Sequence, residues 1–105
     1  MAEFVTVARL SDIPPGERIV VEHGRDWVVI FNVDGTLYAL EDRCSHEDVP
    51  LSEGQLDGVI IECSQHSATF DITTGQHLSP PAFAPVRVYD VRVQDGDVQI
   101  ARRTR

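Results

Sequence analysis

Both cysteines and two of the four histidines fall into short-range pairs, Cys44-Ser45-His46 and Cys63-Ser64-Gln65-His66, separated by residues 47–62. Each pair offers one thiolate and one imidazole, donors that can bind several metals. A disulfide between Cys44 and Cys63 is disfavoured by the histidine at fixed range from each sulfur and by the lack of an export signal in residues 1–6. A tetrahedral zinc site with two cysteines and two histidines would accept these residues. Familiar zinc modules, however, place two cysteines in one knuckle and two histidines in the other, whereas each pair here is mixed. The mixture suits a binuclear centre in which one iron takes both thiolates and the other both imidazoles.

The rest of the chain must position those four side chains. Its 105 residues, 42% hydrophobic and 25% charged, predict one ordinary globular domain over residues 1–105. With no long apolar run and no basic-then-apolar start, a cytoplasmic protein is expected. The net charge of −8 argues against nucleic acid or an anionic membrane as partner, and points to a basic protein surface. Acid gathers near the pairs as Glu41, Asp42, Glu47, Asp48, Glu53, Asp57 and Glu62, against Arg43 alone. Such a face either docks a partner or merely stays solvated.

Strand signals recur along the chain, and no stretch keeps a helical period. Residues 4–8 and 17–22 have strand character, separated by the Pro14-Pro15-Gly16 break. Residues 23–26 read as a turn, with His23 an exposed loop residue. The apolar, β-branched run Trp27-Val28-Val29-Ile30-Phe31 predicts a strand covered on both faces, with Trp27 in the core. Asp34-Gly35 predicts a hairpin into residues 36–40. Residues 52–58 read as loop and tight turn, 59–61 and 68–72 as short strands, and His77 as a loop residue. The proline-rich stretch 79–85, with Pro81 in it, reads as an ordered loop or edge. Valines 86, 88, 91 and 93 alternate with arginines but slip phase at Tyr89-Asp90, which predicts a β-bulge. Asp95-Gly96 then turns into a last strand at 98–100. The domain is therefore all-β, a sandwich or paired small sheets.

Taken together, Cys44-Ser45-His46, Leu51-Ser52-Glu53-Gly54, Leu56-Asp57-Gly58, Ile61-Glu62-Cys63 with His66, and Phe70-Asp71 followed by Thr74-Gly75 resemble the Rieske-type ferredoxins. The likeness extends through Phe31-Asn32-Val33-Asp34-Gly35 and the proline loop, and is close to the small ferredoxin components of bacterial ring-hydroxylating oxygenase systems. It implies the Rieske fold, an antiparallel β-sandwich with a smaller cluster-binding subdomain at about residues 42–83. It also implies one [2Fe–2S] cluster per chain, with Cys44 and Cys63 on the buried iron and His46 and His66 on the outer one. Replacing two thiolates by imidazoles raises the potential above that of an all-cysteine cluster. Within the Rieske range, high-potential relatives resemble one another in carrying Ser and Tyr where this chain has Ala68 and Phe70. Neither residue here can donate a hydrogen bond, which implies a potential near the low end, about −150 mV. Glu47 and Ser67 stand where many such ferredoxins have glycine, and Gln65 where an apolar residue is common. With Pro81, these positions are expected to tune the cluster's surroundings.

No dinucleotide fingerprint and no separate facial triad accompany the four ligands, so the resemblance implies an electron carrier and not an enzyme. Its expected partners are a flavin-dependent reductase and a terminal non-haem iron oxygenase of aromatic hydrocarbon catabolism, with the carrier a monomer. Similarity also extends to accessory subunits of iron–sulfur cluster assembly and of nitrite reduction. A structural zinc domain is the non-redox alternative.

Overall fold

A computed structural model of the chain describes residues 3–43, 50–63, 68–78 and 86–103. Its strands are β1 (Val5–Arg9), β2 (Arg18–His23), β3 (Asp26–Val33), β4 (Thr36–Glu41), β5 (Gln55–Asp57), β6 (Ile60–Glu62), β7 (Thr69–Asp71), β8 (Val88–Gln94) and β9 (Asp97–Arg102). Single 3-10 turns lie at Leu10–Asp12 and Leu51–Glu53. Six strands form an antiparallel sheet in the order β1-β9-β8-β4-β3-β2, and β5-β6-β7 form a second, three-stranded sheet. The larger sheet curls until β1 and β2, at its two ends, touch. The all-β architecture with a smaller second sheet is thus as the sequence predicts.

The chain pattern follows from two cores, one on each face of the large sheet. Inside the curl, Val28, Ile30, Ala39, Tyr89, Val98 and Ile100 pack with Ile13. On the outer face, Val29, Phe31, Leu40, Val86 and Val88 meet Ile61, Phe70 and Ile72 of the small-sheet region, with Leu51, Cys63 and Ala68. Strand β3 feeds both cores with alternate residues, so Val28 through Asn32 are all buried and the run is continuous rather than alternating.

The same division removes the predicted bulge. Strand β8 pairs with β9 in unbroken register from Tyr89↔Arg102 to Gln94↔Asp97. Val88 faces the outer core while Tyr89 and Val91 face the inner one, so the phase slip marks a strand sandwiched between two cores. The register shift instead occurs in β1, between Thr6 and Ala8.

Three further expectations need correction. Trp27 is 57% exposed, because the small sheet does not reach far enough along β3 to cover it. His23 is half-buried at the end of β2, with its ring edge-on to Tyr89 at 5.2 Å between centroids. Gln55–Asp57 is a strand, paired with β6 from Gln55↔Glu62 to Asp57↔Ile60. The Asp34-Gly35 hairpin forms as expected, with φ of 53° and 94° at its two central residues. Its anchor is Asn32, whose buried side chain donates to the Ile13 carbonyl at 2.6 Å and accepts from the Gly35 N–H at 2.8 Å.

Candidate metal centre

Of the four proposed ligands, Cys63 lies among the described residues; Cys44, His46 and His66 lie outside them, as do Glu47, Gln65, Ser67 and Pro81. Among the described residues, accordingly, no three His, Cys, Asp or Glu side chains converge on one point. What the structure does show is how the ends of the two ligand-bearing segments are held.

The first segment, residues 43–51, is closed at its base by a side chain. Asp42 accepts from the backbone N–H of Ser52 at 2.6 Å through Oδ1 and from the Ser52 hydroxyl at 2.8 Å through Oδ2. From behind, Arg18 on β2 donates through Nη1 to the carbonyls of Ser52 (3.1 Å) and Gly54 (2.8 Å). Its guanidinium carbon sits 4.9 Å from the Phe31 ring centroid, so the brace rests on the main core. The second segment, residues 64–67, is closed by the backbone itself. Beyond the last β6–β7 pair, Glu62↔Thr69, the Cys63 N–H donates to the Ala68 carbonyl at 2.7 Å.

The two bases meet at Gly54. A Cβ there would strike the Glu62 carbonyl, the residue before Cys63, so only glycine allows β5 and its entry turn to lie against β6. A single hydrogen-bonded and packed platform therefore carries both segments. Cys63 is 3% exposed and belongs to the core cluster of Ile61, Ala68, Phe70 and Leu51. A buried sulfur in apolar surroundings, at the end of a fixed strand, fits the thiolate side of a mixed thiolate and imidazole donor set.

The acidic residues near the two pairs are not all free to form a docking or solvated face. Two of them are structural: Asp42 as above, and Glu41, whose Oε1 accepts the Arg87 N–H at 2.9 Å. Glu53, Asp57 and Glu62 are exposed. Ser52 lies in the Leu51-Ser52-Glu53-Gly54 motif, but its bond to Asp42 spans ten residues and no local pattern marks it. Of the remaining histidines, His77 lies opposite Phe70 in an isolated bridge, with its Nδ1 3.3 Å from Gln76 Nε2.

A second polar cluster, Asp26 with Tyr89, Arg87 and Arg102, ties the start of β3 to β8 and β9. Burial pushes the Asp26 carboxyl upward, but it is outweighed by hydrogen bonds from Arg102 (2.8 Å) and Tyr89 (3.2 Å) and by the charges of Arg102 and Arg87, so its pKa is lowered. The Tyr89 hydroxyl is raised, first by burial and then by the neighbouring Asp26 charge.

A curled antiparallel sheet carrying a small three-stranded sheet, with a buried cysteine at the end of one short strand, defines a small all-β protein with two ligand-type segments based on one platform. Residues 3–90 match the Rieske [2Fe-2S] domain, and the chain belongs to that family. It is 42% identical over 98 residues to the biphenyl dioxygenase ferredoxin subunit of Pseudomonas sp. (strain KKS102), covering 92% of this chain and 90% of that one. It is 40% identical over 92 residues to the 3-phenylpropionate/cinnamic acid dioxygenase ferredoxin subunit of Escherichia coli (strain K12), covering 87% and 86%. Among solved structures, it superposes with a TM-score of 0.89 and 35% identity on a chain from a complex of reduced oxygenase and oxidized ferredoxin in carbazole 1,9a-dioxygenase, covering 97% of each. The ferredoxin of carbazole 1,9a-dioxygenase from Nocardioides aromaticivorans IC177 gives 0.88 at 31% identity, with 95% and 98% covered. The family carries one [2Fe-2S] cluster per chain, and this sets the zinc alternative aside.

Proposed function

We propose that this chain is a low-potential one-electron carrier that accepts an electron from a flavin-dependent reductase and delivers it to a terminal non-haem iron oxygenase. The observation that carries the reading is Cys63, buried at the end of β6 in apolar surroundings, in a chain whose relatives are dioxygenase ferredoxins. Cys44 and Cys63 would hold one iron and His46 and His66 the other, within a cluster-binding part at about residues 42–83 of a single domain. When bound, the cluster supplies reversible one-electron storage, neutral when oxidised and carrying one negative charge when reduced.

The chain's own residues set how easily that charge is taken up. Ala68 and Phe70 are both fully buried in the core that contains Cys63, and neither carries a hydroxyl to donate toward sulfur. Ile61, Leu51 and Phe70 keep water from the Cys63 side, so reduction places charge where solvent stabilises it poorly. Both effects hold the potential low, at about −150 mV. Glu47, Gln65, Ser67 and Pro81 complete the set of positions that tune it. The platform of Asp42, Ser52, Arg18 and Gly54 holds the bases of the two segments in place. No helix among the described residues is long and apolar enough to cross a membrane. The reading takes the carrier as a cytoplasmic monomer with no membrane or nucleic-acid partner.

Reconstitution tests this directly. Purified protein should show a Rieske visible spectrum and should restore oxygenase turnover when added to a flavin reductase and a ring-hydroxylating terminal oxygenase. Cluster-loaded protein that accepts electrons but supports turnover of no such oxygenase would refute the carrier role.

A further inference from the structure

Strand β3 is buried from Val28 to Asn32, yet the residue that opens this run, Trp27, is the chain's only tryptophan and is 57% exposed. It is not isolated. The β2–β3 register sets Val20 opposite Val29 and Glu22 opposite Trp27, so all four share one sheet face. Val20 is 41% exposed and is the diagonal cross-strand neighbour of Trp27, within reach of a large ring. Val29 and Phe31, on the same face, are covered by the outer core, so Val20 and Trp27 form an apolar patch just past its edge.

Its place in the fold gives the patch meaning. The Trp27 carbonyl accepts the Asp42 N–H at 2.8 Å, two residues before Cys44, so the patch borders the chain where it enters the first ligand-bearing segment. A partner that takes electrons must come close to this end of the molecule. The rim is polar: Glu22 and Glu53 are exposed, the latter on the turn that β2 touches, and Trp27 shares a depression with Arg25, Asp42 and Arg43, while Glu41, opposite Val28, faces the other side of the sheet. Arg18, the other cation on this face, is committed to the carbonyls of Ser52 and Gly54. With a net charge of −8, the chain presents an aromatic anchor on an acidic molecule, with the exposed carboxylates of Glu22 and Glu53 on the same side. Exposed tryptophans ringed by polar residues are typical centres of binding energy.

We propose that the face of β2 and β3 around Val20 and Trp27 is where this chain seats its terminal oxygenase, which meets it with an apolar socket rimmed by basic residues. The inference rests on the electron-carrier reading and adds to it a docking surface and an anchor residue. The oxygenase, rather than the reductase, is the assigned occupant because the similar chain of known structure comes from a complex of oxygenase and ferredoxin. Burial of the Trp27 ring supplies affinity that the charges alone do not, and the acidic rim governs the rate of encounter.

The test uses cluster-loaded full-length protein and the terminal oxygenase that accepts its electrons in the reconstituted system. Trp27→Ser and, separately, Val20→Arg are compared with wild type and with Val93→Thr, a change at an exposed valine on β8. Both patch variants should keep the visible spectrum and the reduction potential. Each should raise the KM for ferredoxin in oxygenase turnover by roughly tenfold or more, with Trp27→Phe recovering most of the loss. Reduction by the flavin reductase should change less than twofold in rate, and Val93→Thr should match wild type throughout. A ferredoxin KM within twofold of wild type in both patch variants would overturn the surface. Loss of equal size at the reductase step would overturn its assignment to the oxygenase. If wild type itself delivers electrons to no oxygenase, it is the carrier reading that fails.

Discussion

Replacing Asp42 by alanine should loosen the first ligand-bearing segment without touching a proposed ligand. The change deletes the acceptor for two hydrogen bonds, from the Ser52 N–H at 2.6 Å and the Ser52 hydroxyl at 2.8 Å. Bonds to a charged acceptor contribute about 1.5–3 kcal/mol each. Water can replace part of this at a half-buried carboxylate, so the expected cost is about 2–4 kcal/mol, a large share of the about 5–15 kcal/mol that holds a domain of this size together. Asp42→Asn keeps an acceptor for the N–H and should cost about 1 kcal/mol, and Ser52→Ala, which loses only the hydroxyl bond, about the same. Cluster loss makes unfolding irreversible, so the informative quantity is a rate. In mild denaturant the visible absorbance of Asp42→Ala should bleach about 30-fold faster for each 2 kcal/mol lost from the closed state, and the two milder variants about fivefold faster. The double variant Asp42→Ala/Ser52→Ala should bleach no faster than Asp42→Ala within about a factor of two, because the two sites share one interaction. Bleaching of Asp42→Ala at the wild-type rate, or additive effects in the double variant, would refute the idea that this pair closes the segment.

The remaining predictions concern potential, backbone fit and acid stability. Ala68→Ser and Phe70→Tyr each add a hydroxyl within the core that contains Cys63; if the reduced state gains about 1–2 kcal/mol more than the oxidised state, redox titration should show a rise of about 40–90 mV per variant, and no positive shift in either would sink the low-potential argument. Gly75 has φ of 78° and a Cβ there would meet the Val86 carbonyl and, at 2.5 Å, a methyl of Val88, so Gly75→Ala should lower stability by about 2–4 kcal/mol in thermal unfolding. Because the Asp26 pKa is lowered on folding, its contribution is fully present above the unfolded value of about 4 and is lost as pH falls through the folded value. Asp26→Asn should therefore cost about 1 kcal/mol at neutral pH, and the gap from wild type should close in strongly acidic buffer; a gap that stayed constant with pH would contradict the ion-pair account.

What the sequence revealed and what it hid follow from the range of the interactions involved. The Asp34-Gly35 hairpin and the all-β class rest on local turn chemistry and local pattern, and both are visible in a window of ten residues. Trp27 misled because periodicity reports a strand's character but not how far the covering sheet extends along it. The phase slip at Tyr89-Asp90 misled for a related reason: a bulge and a strand lying between two cores leave the same mark in a one-dimensional pattern. Gln55–Asp57 was hidden by its length of three residues between glycines, since a strand so short is defined by its partner Ile60–Glu62 more than by its own composition. The platform under the candidate centre was the least legible part. Arg18 reaches Gly54 across 36 residues and Asp42 reaches Ser52 across ten, and neither residue type signals such a role.

That platform bears on electron transfer as well as on stability. A carrier that changes charge by one unit works fastest when its surroundings need not rearrange, and close-packed interiors yield little. Here the large sheet supplies the stiffness: Val29, Phe31 and Leu40 lie under the small sheet, and Arg18 links that floor to the turn that Asp42 also grips. The small sheet, with three strands of three residues each, would be marginal alone and depends on this support. Loosening Arg18 should therefore act on both ligand-bearing segments at once, through the contact of Gly54 with Glu62, whereas loosening Ser52 should act mainly on the first. The bonds of Asp42 and Arg18 and the contact of Gly54 with Glu62 tie the bases of the two segments together, although 16 residues separate His46 from Cys63 in sequence.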